Sequence, residues 1–189
     1  MPKPHTSHRA RSPEYTLLGF LFSQPNYGYE LHRLLITELG ETWHVSQSQT
    51  YSILKRLETQ GYISSTTVEQ EKLPDIQYLK ITPSGRSCFK VWMETPTGSS
   101  VRDIRLEFIS RLYFAQKVSP ERILPMLETQ ITEVQNALTK LSTRQRELPD
   151  GQIFNRLSLQ LRIQQLKSVV DWLDECRKEF LYLPLELKK

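Results

Sequence analysis

Residues 43–63 read WHVSQSQTYSILKRLETQGYI, and this segment has the pattern of a capped helix. Ser46 is a favourable helix N-cap, and Gly61 suits the residue that ends a helix. Between them the apolar and small positions recur at helical spacing, which predicts an inward face of Thr50, Ile53, Leu54 and Leu57. The other side of this helix is polar or basic and comprises Gln47, Ser48, Gln49, Tyr51, Ser52, Lys55 and Arg56.

The outward face carries no negative charge, because no Asp or Glu occurs from residue 43 to residue 57. Gln side chains can pair with adenine edges, Ser can donate or accept a hydrogen bond, and Lys and Arg reach guanine or phosphate oxygens. Such a face suits contact with duplex DNA. A solvated polar surface helix would show the same residues, so the neighbouring elements have to decide between the two interpretations.

Two helices precede this segment, and a β-hairpin follows it. Leucines at helical spacing predict one helix that starts at Pro13 and a second that ends at Gly40. After Gly61 the period changes, and residues 62–68 and 76–81 have strand character on either side of a polar loop. Three helices followed by a hairpin are the order of a winged helix-turn-helix, in which one helix enters the major groove. The sequence therefore predicts a mainly α fold that contains an N-terminal winged helix-turn-helix.

A linker of Pro, Gly, Thr and Ser at residues 94–100 separates this predicted domain, residues 13–94, from a helical C-terminal half. Two long segments there carry apolar residues in steps of three and four, which predicts an antiparallel helical hairpin over residues 101–181. We predict that this hairpin holds a homodimer, since two recognition helices would then read two half-sites. An intramolecular hairpin is the alternative. The predicted dimerisation residues are Leu124, Leu127, Ile131, Val134, Leu138, Leu159, Ile163, Leu166, Val170 and Leu173.

Short motifs follow one another in the first half of the chain: LLGFL at 17–21, YGYEL at 27–31, KRLE at 55–58, GYI at 61–63 and TPSGR at 82–86. In order and spacing they resemble the PadR family of bacterial transcription regulators. The resemblance implies a winged-helix DNA-binding domain and a C-terminal helical region that dimerises. We predict a repressor that binds palindromic operator DNA as a homodimer. The resemblance also implies that some members release DNA when they bind a small aromatic effector.

Four aromatic residues are candidates for lining a pocket for such an effector, although core packing is the alternative role for each: Trp92, Phe108, Tyr113 and Trp172.

Two segments depart from the family pattern. Residues 48–52 keep only Tyr51 of the usual Gly-Ser-Leu-Tyr-Pro, and the hairpin loop lacks the usual arginines, so that Lys72 is the wing residue expected to contact DNA. The basic arm, residues 1–12, is predicted to be flexible, and it either reaches into a minor groove or has no specific role. The predicted DNA-contact residues are Tyr29, Ser46, Gln47, Ser48, Gln49, Tyr51, Ser52, Lys55, Arg56 and Lys72.

Composition limits what the 189-residue chain does. Its formal net charge is +4, and three of these four charges lie in the first twelve residues, so DNA affinity would depend on local placement of charge. No apolar run is long enough to cross a bilayer, and Cys88 and Cys176 form no disulfide framework, which favours a cytoplasmic location. Scattered histidines and the lack of a Gly-rich phosphate loop predict no enzyme, metal or cofactor. The rival hypothesis is a winged-helix module that binds another protein and has weak or no DNA affinity.

Overall fold

The structure, a computed structural model, describes residues 13–68 and 76–182. These residues form two compact units, of which one ends at Thr95 and the other begins at Pro96. Helices dominate both, and the first also holds a small antiparallel sheet, so the predicted fold class is confirmed. The arm and Lys72, both proposed to contact DNA, lie outside the described residues.

The first unit is built around a three-stranded antiparallel sheet with the strand order β1-β3-β2. Strands β2 and β3 form the predicted hairpin, with a register that runs from Ile63 opposite Ile81 to Val68 opposite Ile76. The short strand β1 was not predicted, because two residues are too few to show an alternating pattern. The elements are α1 (Glu14–Ser23), β1 (Asn26–Tyr27), α2 (Gly28–Leu39), α3 (Gln47–Thr59), β2 (Ile63–Val68), β3 (Ile76–Ile81) and α4 (Pro83–Glu94).

Leucines from the three N-terminal helices make the core of this unit. Leu21, Leu35 and Leu57 are all at most 1% exposed. The inward face predicted for α3 is buried as expected, at Thr50, Ile53, Leu54 and Leu57. Helix α3 stops near Gly61, whose φ of +73° lies in the left-handed region that favours glycine. One side of α3 is therefore buried against the leucine core, and the opposite side faces solvent.

The second unit is helical, and its two longest helices pack along each other as a hairpin. A left-handed Gly151, with a φ of +93°, lies in the turn between them. Pro125 lies in the opening turn of the first of these helices, where a proline removes no intrahelical hydrogen bond. The elements are α5 (Val101–Asp103), a π-helical turn (Ile104–Phe108), α6 (Ile109–Val118), a 3-10 turn (Pro120–Arg122), α7 (Ile123–Arg146) and α8 (Ile153–Tyr182).

Among the helices that the structure describes, none combines the length and the apolar character needed to cross a membrane. In the same residues no cluster of three or more His, Cys, Asp or Glu side chains could hold a metal ion.

Candidate nucleic-acid interface

Helix α3 begins with a reciprocal cap that contains no carboxylate. The Ser46 hydroxyl accepts a hydrogen bond from the Gln49 backbone N–H at 3.2 Å, and the Gln49 Oε1 accepts one from the Ser46 N–H at 2.8 Å. This is a capping box, in which a glutamate or glutamine satisfies the free amide of the N-cap residue. Because glutamine fills the position, the first turn of α3 is fixed without a negative charge.

The predicted contact residues converge on one exposed surface. Eight of them lie on α3 or at its N-cap, Tyr29 lies in the first turn of α2, and all nine are exposed. Some of their polar groups already have partners: Ser46 and Gln49 make the cap, and the Ser52 hydroxyl donates to the Ser48 carbonyl at 2.9 Å. The side chains of Gln47 and Lys55 take no part in that cap, and within the described residues Lys55 forms no ion pair.

Arg56 is tied to another helix. Its Nε and Nη2 atoms both contact Oε1 of Glu14, which lies at the start of α1. The Arg56 side chain is 48% exposed and the Glu14 side chain 23% exposed. The arginine was predicted as a DNA contact, and to reach a phosphate it would have to exchange this carboxylate. Sequence reasoning missed the pair because Glu14 is 42 residues away and belongs to no shared periodic pattern.

A hydrogen bond joins α2 to α3. His32 Nδ1 lies 3.0 Å from Thr50 Oγ1, and the Thr50 hydroxyl also lies 3.2 Å from the Ser46 carbonyl oxygen. Thr50 is fully buried, so this hydrogen bond crosses the packed face between the two helices. His32 had no role in the sequence interpretation. It fixes the orientation of α3 on α2, a positioning that a helix-turn-helix needs.

The far end of α3 is anchored to the sheet. The Ser65 hydroxyl on β2 donates to the Glu58 carboxylate, so the base of the hairpin is joined to the last turn of α3. The Glu58 side chain is therefore occupied on the sheet side of the helix, away from its outward face. The capping box at one end and this bond at the other thus anchor both ends of α3.

The predicted dimerisation residues line the inside of the helical hairpin. Three of the ten, Leu124, Leu138 and Val170, are half-buried, and the other seven are buried in a single chain. They pack α7 against α8 within one chain, and their part in a dimer stays a prediction. Helix α8 also presents a different apolar surface to solvent, which sequence reasoning did not single out: Ile153, Phe154, Leu157 and Leu161, each 54–83% exposed.

The four aromatic effector candidates fall in separate units. Trp92 is buried in the first unit, where its ring stacks on Tyr15 at a centroid distance of 5.2 Å. In the second unit Phe108 is buried, and Tyr113 and Trp172 are half-buried. Trp92 and Phe108 thus have the core-packing role that was the alternative.

Both cysteines are half-buried thiols. Burial is the main cause that raises the pKa of Cys88, and it raises the pKa of Cys176 to about 11. A thiol with a raised pKa is mostly protonated at neutral pH and is a poor nucleophile.

Both halves of the chain match known families. Residues 17–91 match the Transcriptional regulator PadR-like family, and residues 104–180 match the family described as Virulence activator alpha C-term. The Bacillus subtilis protein named Negative transcriptional regulator PadR is 27% identical over 175 residues, which span 85% of this chain and 93% of that protein. The Mycobacterium tuberculosis protein named Probable transcriptional regulator Rv1176c is 27% identical over 176 residues, with the same coverage of each chain.

Solved structures of Bacillus subtilis PadR contain operator DNA in one case and p-coumaric acid in another. Each is 24% identical to this chain, and in each the match spans 98% of the solved chain. The structure with operator DNA matches 88% of this chain with a TM-score of 0.43, and the structure with p-coumaric acid matches 89% with a TM-score of 0.39. The two family matches and the two curated relatives together confirm the resemblance first seen in the motifs of residues 17–86. Residues 17–91 belong to the PadR-like family of transcriptional regulators.

Proposed function

We propose that this regulator binds palindromic operator DNA as a cytoplasmic homodimer and represses transcription. The observation that carries the proposal is the exposed surface of α3, which has a fixed N-terminus and no acidic residue from Trp43 to Leu57. Repression is supported by the curated name of the Bacillus subtilis relative, a negative regulator. In this proposal residues 13–94 are the DNA-binding domain and residues 101–181 the dimerisation domain.

On this surface each residue type has a distinct role. With α3 in the major groove, Gln47 and Ser48 at its N-terminus reach base edges, because the first turn of a recognition helix enters the groove deepest. Lys55, two turns further along, meets the phosphate backbone and supplies affinity that does not depend on sequence. Ser46 and Gln49 keep the helix start in place and contribute to binding mainly through that cap.

Fluorescence polarisation with labelled duplex from the protein's own promoter region tests the proposal. We expect binding that prefers this duplex over a scrambled one and weakens as salt rises. Lys55→Ala should reduce the slope of log K against log salt by about one, since it removes one phosphate contact. Lys90→Ala, an exposed lysine on α4 of the same unit, is the matched control and should leave the slope unchanged.

The rival function is a winged-helix module that binds a protein partner. It would give no salt-sensitive, sequence-preferring DNA binding in the same assay. That result would refute the regulator proposal. An anionic protein would then be the expected partner for the acid-free surface of α3.

For the homodimer we propose that α8 of one chain packs antiparallel on α8 of the other. The N-terminal half of α8, residues 153–168, has three basic residues and no acid, whereas residues 171–182 have four acids and two bases. Antiparallel pairing places the basic half of one helix against the acidic half of its partner, and a two-fold axis does so twice. It also covers the exposed apolar side chains at 153–161 over a helix about 45 Å long.

Light scattering of the variant Leu157→Glu tests this arrangement. The side chain is 54% exposed, so the change should leave the fold intact but place a charge in the apolar contact and give a monomer. Leu157→Met keeps an apolar side chain and should remain a dimer. A Leu157→Glu protein that keeps the dimer mass would place the interface elsewhere.

A small aromatic effector remains a proposed partner. The family resemblance supports it, and Tyr113 and Trp172 are the candidate residues that are not fully buried. Titration with p-coumaric acid should change tryptophan fluorescence in a saturable way and lower DNA affinity. A titration without either change would remove this partner from the proposal.

A further inference from the structure

Gly28, the first residue of α2, is glycine for reasons of space. Its φ is not in the left-handed region, so its backbone conformation alone does not call for glycine. A Cβ atom placed on it would lie 2.8 Å from Cε1 of Tyr51, 3.3 Å from Cζ and 3.4 Å from the hydroxyl oxygen. The ring of Tyr51 therefore lies directly against the bare backbone of Gly28.

This contact sets the position of a side chain on the candidate DNA surface. Tyr51 is in the second turn of α3 and is 46% exposed, so one part of the ring rests on Gly28 and another part faces solvent. Its hydroxyl is held beside the start of α2, at the flank of α3. In a helix-turn-helix the helix before the recognition helix crosses the DNA backbone. A hydroxyl at that flank is placed to donate to a phosphate oxygen.

We propose that Gly28 is a positioning residue for DNA binding: the absence of a side chain there seats the Tyr51 ring so that its hydroxyl contacts a backbone phosphate. The inference rests on the proposed function, because it assigns a role within the same DNA surface. It also gives Tyr51, one of the predicted DNA-contact residues, a specific role, the contact with a backbone phosphate.

The variant Gly28→Ala separates positioning from folding. Alanine is the better helix former, and the atoms in its way belong to the outer part of an exposed ring that can swing aside. We expect the variant to melt no lower than the wild type and to bind operator DNA about tenfold more weakly, the effect of losing about one hydrogen bond. A merely structural glycine would lose stability and affinity together.

The double variant makes the test specific. With Tyr51→Ala no ring is left to displace, so adding Gly28→Ala should change the affinity by less than about twofold. Tyr51→Phe keeps the ring and should weaken binding to operator and scrambled duplex by the same factor, as expected for a phosphate contact.

Two results overturn the inference: wild-type affinity in Gly28→Ala, or an equal loss from Gly28→Ala with and without Tyr51. Both presuppose a wild-type protein that binds DNA. A wild-type protein that binds no duplex at all overturns the proposed function itself, so the two failures are distinguishable.

Discussion

The variant Gln49→Glu should stabilise helix α3 and weaken DNA binding at the same time. The Gln49 Oε1 accepts the Ser46 N–H at 2.8 Å, and a glutamate carboxylate can accept the same hydrogen bond, so the capping box survives. The new charge lies in the first turn of α3, where the helix dipole favours an anion. The free energy of unfolding should therefore rise by about 0.3–1 kcal/mol.

The cost for DNA binding follows from the same charge. A carboxylate about 4 Å from a phosphate is repelled by about 1 kcal/mol in bulk water and by about 4 kcal/mol at an effective dielectric of about 20. Gln49 is exposed and the repulsion is screened by salt, which favours the lower part of this interval. We expect Kd for the operator to rise by about tenfold at physiological salt and by less at higher salt.

Urea unfolding and fluorescence polarisation measure the two effects. Gln49→Ala is the control, since it loses the acceptor for the Ser46 N–H without adding charge and should lose stability, by about 1 kcal/mol. If Gln49→Glu bound DNA as tightly as the wild type, the start of α3 would not face phosphates. If it were less stable than the wild type, the glutamate side chain would not preserve the capping box.

Three further predictions concern residues that have their contacts within one unit. Val134→Asp, at a position that is 0% exposed between α7 and α8, should unfold the hairpin as seen by circular dichroism, because it buries an unpaired charge. Arg56→Ala and Glu14→Ala should each lose about 0.2–1 kcal/mol in urea unfolding, and the double variant should lose no more than the larger single loss. Burial raises the pKa of Cys176 to about 11, so its thiolate fraction at pH 8 is about a hundredfold lower than that of an unperturbed thiol. Because a more basic thiolate is also the stronger nucleophile, Cys176 should react with iodoacetamide about tenfold more slowly, which mass spectrometry can follow.

Periodic features of the fold were accessible from sequence. The inward face of α3, the β2–β3 hairpin and the pair α7–α8 all follow from apolar residues that repeat at helical or strand spacing. Strand β1 escaped because Asn26 and Tyr27 form no repeat, and their pairing with Leu79 and Tyr78 on β3 joins distant parts of the chain. The pattern thus predicts elements well, but it does not predict short contacts that the finished fold creates.

The polar pairs of the candidate site could not be predicted from the sequence for the same reason. The bonds from His32 to Thr50 and from Arg56 to Glu14 join single polar residues 18 and 42 positions apart. Ser46 as a cap was predictable, because Ser at the N-cap with Gln three residues later is a local pattern. Partners that are local in sequence can be read from it, whereas partners brought together by packing cannot.

A heptad pattern also does not say whether the helix that packs against it belongs to the same chain or to another chain. Val134 and Leu173 were predicted as dimerisation residues, and both are fully buried in one chain. A helix that packs on its own chain and one that packs on another chain bury the same spacing of apolar residues. A helix that packs on its own chain and also on another needs a second apolar surface, and the proposed dimer assigns that role to Phe154 and Leu157, which are exposed on α8.

In the described residues α3 offers DNA a single cation that is not paired with a carboxylate. The proposed recognition of DNA therefore depends on two such helices in a dimer. Of the two cations on α3, Arg56 pairs with Glu14, and only Lys55 meets no carboxylate in the described part of the chain. A single such surface would bind with Kd of roughly 10⁻⁴–10⁻⁶ M, whereas linking two raises avidity by about 10²–10⁴. The Leu157→Glu monomer, with an unaltered α3, should therefore bind operator at least about a hundredfold more weakly than the dimer. A monomer that kept full affinity would mean that residues outside α3, such as the basic arm, supply the binding energy.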